Sequence, residues 1–120
     1  HEVMELIKTS EANGCKIFIA AAGMAAHLAG AVAAHSIRPV IGIPIESGGM
    51  GGLDSLLSTV MMPPGVPVAT VAVGKSGAKN SAILAVQILA TSDKEFAQKL
   101  HDYKNNMREE VLKKDQALNS

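Results

Sequence analysis

Short runs that are apolar at nearly every position alternate with longer helix-forming stretches, and this alternation limits the chain to few folds. Lys16 to Ala20, Val40 to Ile45 and Val66 to Val73 read as buried, β-rich strands. Helices are expected at His1 to Asn13 (stopped at Asn13-Gly14), Met24 to His35, Leu53 to about Met61 and Ala78 to Ala90. Ser92-Asp93-Lys94-Glu95 has the form of a capping box, with Ser92 as N-cap and Glu95 at N3. It opens a long last helix whose apolar stripe is Phe96, Leu100, Tyr103, Met107 and Val111. Strands without a polar face, each followed by a helix, belong to a parallel α/β sheet covered on both sides. Three strands are fewer than most such sheets hold, so a leading β-α-β portion is expected to be missing.

At 120 residues the chain fits one domain spanning 1–120. Its 48% hydrophobic and 18% charged residues describe a globular rather than a disordered chain. Eleven basic and 11 acidic residues cancel, which leaves no footprint for nucleic acid or an anionic membrane. A small, locally charged ligand remains compatible. Ile17 to Ala34 is long enough to raise the question of a membrane span. Its β-branched, aromatic start and its Ala-rich remainder, broken by Gly23, His27 and Gly30, read instead as strand then helix. The first helix is amphipathic and has no signal-peptide character. A single cysteine, Cys15, forms no internal disulfide and suits a reducing, cytoplasmic setting. It reads as a buried structural thiol, since no nucleophile signature surrounds it. Phe18, Phe96 and Tyr103 are the only aromatics. A core built from small aliphatics is expected to draw part of its stability from oligomerisation.

Ligands of parallel sheets sit beyond the carboxyl ends of the strands. The first strand delivers Ala20-Ala21-Ala22-Gly23 there, directly ahead of a helix whose leading N–H groups favour an anion. The small residues would let a carboxylate or phosphate rest on bare backbone; equally, they would permit a tight strand-to-helix turn and nothing more. His27, one turn into that helix, is either a core or capping residue or a proton carrier facing the anion site. His35 suits the helix C-terminus, and His101 lies among charges. Glu46 and the Ser47 to Gly52 loop arrive at the same edge, and the glycines suit a mobile cover or a close subunit approach. Asp54 breaks a dinucleotide G-x-G-x-x-G pattern, and Ala69 breaks a P-loop ending in Gly74-Lys75-Ser76. Lys75 and Lys79 read as solvated, with phosphate attraction as the alternative. The spacing of His and Cys offers no metal site.

Ala22-Gly23-Met24-Ala25-Ala26-His27-Leu28-Ala29-Gly30 resembles the A-G-x-A-A-H-L-x-G motif of the N5-carboxyaminoimidazole ribonucleotide mutase family. The likeness continues through Pro39-Val40-Ile41-Gly42-Ile43-Pro44, Gly52-Leu53-Asp54-Ser55-Leu56-Leu57-Ser58 and Met62-Pro63-Pro64-Gly65-Val66-Pro67-Val68-Ala69-Thr70. It ends with Gly74-Lys75-Ser76-Gly77-Ala78-Lys79-Asn80 and Ala85-Val86-Gln87-Ile88-Leu89. The Ala-Ala-His-Leu form resembles the mutase class; the class that carboxylates directly with carbon dioxide tends to carry Arg-Ser-Asn here.

The resemblance implies a flavodoxin-like three-layer α/β/α fold with a long C-terminal helix, assembled as a homo-octamer with active sites between subunits. It implies migration of a carboxylate from an exocyclic nitrogen to a ring carbon of aminoimidazole ribonucleotide, through enzyme-held CO2 and without a cofactor or metal. Ala22, Gly23, Met24 and Leu28 match the substrate and CO2 cradle, and His27 matches a catalytic histidine lining it. The family's phosphate- and ribose-binding Gly-Ser-x-Ser-Asp segment and its Ser-Ala-His-Arg segment would both precede His1. A polypeptide limited to these residues is expected to be inactive, as a binding module or an assembly-only remnant; a longer parent is expected to be the enzyme.

Overall fold

The computed structural model describes residues 2–23, 27–47 and 51–119. Along these the elements run α1 (Glu2–Ala12), β1 (Phe18–Ala22), α2 (Leu28–His35), β2 (Val40–Pro44), α3 (Leu53–Val60), β3 (Ala69–Thr70), α4 (Lys75–Ala90) and α5 (Lys94–Asn119). The strands form one parallel sheet in the order β1-β2-β3, flanked by helices, which is the expected α/β, flavodoxin-like class. The chain divides into two compact units, His1–Ala85 and Val86–Ser120.

In the first unit β2 is the central strand and all five of its residues are buried. Ile41 is wholly inaccessible, and sequestering a side chain of that size contributes roughly 1.5–3 kcal/mol. The register pairs Phe18 with Val40, Ala20 with Gly42 and Ala22 with Pro44, so these residues share one face. Ile7 of α1 and Ala29 and Val32 of α2 pack there with Ala20 and Val40 as the core cluster. A Cβ on Gly42 would stand 2.5 Å from Thr59 Cγ2 and 3.3 Å from Ala29 Cβ. One side-chain vector therefore meets both α2 and α3, and the absent side chain is what lets the two helices close on β2. On the opposite face of β1, Ile19 is 46% exposed.

Several boundaries differ from the sequence reading. The first strand starts two residues later than Lys16, because Cys15 N–H still closes the end of α1 on Ser10 O. The shift carries Ala21 and Ala22 into β1. Regular pairing of the third strand shrinks to Ala69–Thr70. Val66 N–H is taken by the Pro63 carbonyl in a turn, and Pro67 has no N–H to donate. Isolated bonds from Val71 N–H to Gly42 O and from Gly74 N–H to Pro44 O extend the contact with β2. Helix α4 begins at Lys75, three residues before Ala78, because Gly74 at φ +78° turns the chain straight into it.

In the second unit α5 runs 26 residues, about 39 Å. Its N-cap is Asp93, not Ser92: Asp93 Oδ1 accepts from Phe96 N–H at 3.1 Å, and Asp93 O accepts the first helical bond from Ala97. The N–H of Ser92 is still bonded to Leu89 O in the turn that ends α4. A carboxylate is also the stronger acceptor at a helix N-terminus. Of the expected stripe, Phe96, Leu100 and Tyr103 are half-buried, whereas Met107 and Val111 are exposed.

Two stability measurements follow from these ends. Gly14 closes α1 at φ +93°, its N–H on Glu11 O and that of Cys15 on Ser10 O, with open space where a Cβ would go. Gly14→Ala is therefore expected to cost about 1–2 kcal/mol from backbone strain alone, read as a lower urea midpoint at unchanged m-value. Asp93→Ala is expected to cost about 1 kcal/mol while Ser92→Ala stays within about 0.5 kcal/mol; the reverse order in thermal melts would restore Ser92 as the cap.

Candidate active site

The carboxyl edge of the sheet gathers the candidate residues. Ala22 ends β1 and is buried, and its carbonyl accepts from Ile45 N–H at 3.0 Å. The chain has no cis peptide bonds among the described residues, so C=O and N–H of the Ala22–Gly23 unit point in opposite directions. With the carbonyl committed to β2's exit, Gly23 N–H points away from β2, and it has no acceptor among the described residues. The sequence motif requires this residue to be small, and the structure supplies the reason. A Cβ on Gly23 would stand 2.6 Å from Ser47 Oγ and 3.0 Å from Ser47 Cβ.

Met24 lies outside the described residues, as does the Gly48-Gly49-Met50 part of the glycine-rich loop. His27 is not one turn inside a helix: it occupies the N-cap of α2 at φ −90°, ψ 39°, and Leu28 is the first helical residue. Its carbonyl accepts from Ala31 N–H at 2.8 Å, while its exposed imidazole makes no capping hydrogen bond. The helix start therefore keeps its partial positive charge uncompensated by the cap side chain, and no acidic residue stands in its first turn. Leu28 is 38% exposed beside it. Ala22 and Gly23 thus close β1 while His27 and Leu28 open α2, with an imidazole that makes no capping hydrogen bond.

Other groups at this edge are exposed. Glu46 follows the Ala22-bonded Ile45, and Lys75 is brought beside β2's end by the Gly74–Pro44 hydrogen bond. Gly52, at φ +85°, is the N-cap of α3. No group of three or more His, Cys, Asp or Glu side chains among the described residues has a metal-binding arrangement. No described helix is long and apolar enough to cross a membrane.

Sequence reasoning overlooked Ser55. On α3 and 1% exposed, it donates from Oγ to Ile45 O at 2.6 Å, and Thr59 Oγ1 donates to Ser55 O at 2.8 Å. Its signal was faint: Ser55 is one of three hydroxyl residues on α3, with Ser58 and Thr59, and nothing in their spacing singles out the one that faces the sheet exit.

The family model for AIR carboxylase matches residues 1–110. Among curated proteins, the N5-carboxyaminoimidazole ribonucleotide mutase of Escherichia coli (strain K12) is 49% identical over 111 residues, covering 92% of this chain and 66% of its own length. The corresponding mutase of Bacillus subtilis (strain 168) is 47% identical over 116 residues, covering 97% and 72%. That of Saccharolobus solfataricus is 53% identical over 110 residues, covering 92% and 68%. The chain thus spans about two thirds of the length of the curated relatives it matches. A match over nearly all its residues, joined to this fold, makes the chain a member of the AIR carboxylase family.

Proposed function

We propose that this chain forms the carboxylate-transfer part of an N5-carboxyaminoimidazole ribonucleotide mutase, an isomerase of purine biosynthesis. The observation that carries the reading is the Ala22–Gly23 peptide, its carbonyl bonded to Ile45 and its N–H turned outward, four residues ahead of the His27 N-cap of α2 in the sequence. The mutase activity named for the relatives asks for such a place. In the reaction the bond between the exocyclic nitrogen and the carboxylate carbon breaks, giving CO2 and an enamine-like ring. The C4 carbon then attacks CO2, a C–C bond forms, and the proton on C4 is lost while the nitrogen regains one. Atoms balance without an added reactant, and no cofactor is called for. The protein must hold CO2 near C4, keep water out and carry one proton.

In this reading Gly23 N–H, with the amides of the Met24 to Leu28 passage, binds the carboxylate and then CO2. Backbone donors fixed before reaction need no reorganisation as charge moves, which is where their advantage lies. His27 lines the pocket and takes part in the proton movement. The phosphate and ribose of the substrate are held by polypeptide that pairs along the free edge of β1, toward which Gly23 N–H points. We read the assembled enzyme as a cytoplasmic homo-octamer with active sites between subunits. The outward apolar residues Leu53, Leu57, Val60 and Met61 of the α3 region support an assembly, as they leave a large apolar surface on an isolated chain.

Purified full-length protein incubated with the carboxyamino substrate is expected to form the C-carboxylated imidazole without ATP or bicarbonate. His27→Asn is expected to lower kcat about tenfold or more, whereas an unchanged rate removes His27 from the mechanism. Absence of product from wild type would leave the binding or assembly-only reading in its place. Sedimentation equilibrium is expected to return eight times the protomer mass; a monomer or dimer at micromolar concentration would refute the octamer.

A further inference from the structure

Ile45 is held at both ends. Its N–H donates to Ala22 O at 3.0 Å, and its carbonyl accepts from Ser55 Oγ at 2.6 Å. Together these bonds set both peptide planes of the residue at which the chain leaves β2. Two residues on, Ser47 lies over the face of Gly23, and Ile45 O itself is 4.0 Å from where a Gly23 Cβ would be. Ser55 is 1% exposed, so its hydroxyl is shielded from solvent and losing this bond would leave a buried donor unsatisfied. A continuous path therefore runs from the side chain on α3, through one residue, to the peptide that presents Gly23 N–H.

We propose that Ser55 is a positioning residue of the carboxylate-transfer site: through Ile45 it fixes the Ala22–Gly23 peptide and seats Ser47 over Gly23. The inference rests on the mutase reading given above. Ser55 does not touch the substrate. Its consequence is kinetic, because CO2 freed from the nitrogen either adds to C4 or escapes. A cradle whose donors drift loses CO2 before the C–C bond forms and releases aminoimidazole ribonucleotide instead of the carboxylated product. Keeping CO2 is thus the property most sensitive to this bond.

A matched pair of serines tests it. Ser81 on α4 is 2% exposed and donates to a backbone carbonyl of its own helix, Ala78 O, at 2.7 Å, rather than to Ile45 or Ala22. In the full-length protein, Ser55→Ala and Ser81→Ala remove the same chemistry from equally buried places. Ser55→Ala is expected to lower kcat about 10- to 100-fold, to change KM for the carboxyamino substrate by less than about threefold, and to raise the fraction of turnovers ending in decarboxylated aminoimidazole ribonucleotide. Ser81→Ala is expected to lower Tm by a similar amount yet keep kcat and that fraction at wild-type values. Ser55→Thr, which retains a hydroxyl, is expected to restore coupling. Should Ser55→Ala not fold, Ser55→Cys keeps the volume with a weaker donor and is expected to leak CO2 to an intermediate degree. Wild-type coupling in whichever of these two variants folds, or equal leakage in Ser81→Ala, would overturn the positioning role while leaving the mutase reading intact. Failure of the wild type to form product would instead overturn that reading and this inference with it.

Discussion

The hydrogen bond from Ile45 N–H to the Ala22 carbonyl is the constraint on which the arrangement at the sheet edge depends. A peptide is a rigid plate, so fixing its oxygen fixes its N–H. Had the Ala22 carbonyl turned outward, the edge of β1 would present an acceptor to an incoming carboxylate and repel it. Because the oxygen is taken by the next strand's exit, the outward group is a donor. The bond is an ordinary parallel-sheet contact extended one residue past the Ala22–Pro44 pair. The same backbone order that builds the sheet thus leaves an N–H donor facing outward at its edge, with no charged side chain supplied by β1.

Such an arrangement requires small residues, and the chain uses them where elements meet closely. Gly42 lets α2 and α3 reach the same point on β2, and Gly23 lies beneath Ser47. Gly77 at the start of α4 comes so near the Ala72 carbonyl that any side chain would collide with backbone. Backbone cannot yield as a flexible side chain can, so this contact tolerates substitution least. The compensation for so little side-chain volume is large apolar area left outside, on Leu53, Leu57 and Met61. A fold of this composition is suited to completing its burial against other polypeptide.

The α/β order was legible because its signal is long-range and redundant: β-branched apolar runs such as Val40-Ile41-Gly42-Ile43 recur between helix-forming stretches. Boundaries were not, since each was decided locally, by a single hydrogen bond or a single backbone angle. Val66 loses its strand place to the Pro63 carbonyl, and Ser92 loses the cap to Asp93, whose carboxylate takes the Phe96 N–H. The site was half legible. Ala22, Gly23 and His27 stand out by residue type and order, but nothing in their spelling says which way a peptide plate faces. Ser55 was hidden for a related reason: a helix pattern marks a serine as polar, and only the sheet's exit at Ile45 gives it a buried acceptor.

The displaced start of α2 matters for the chemistry. A histidine one turn inside a helix has its own N–H in the helical ladder, and its ring lies back along the preceding turn. At the N-cap, His27 has non-helical backbone angles, and its ring is the side chain best placed to satisfy the leading amides. It does not do so, although a neutral imidazole has an acceptor nitrogen available. In the proposed mutase reading, the cost of leaving the helix start without a side-chain cap is offset when the substrate's carboxylate arrives. A capping Ser or Asp would stabilise the free helix and compete with that ligand for the same N–H groups. On that reading the weaker cap is the more useful residue: it leaves the helix start open to a carboxylate, with an imidazole at the cap position.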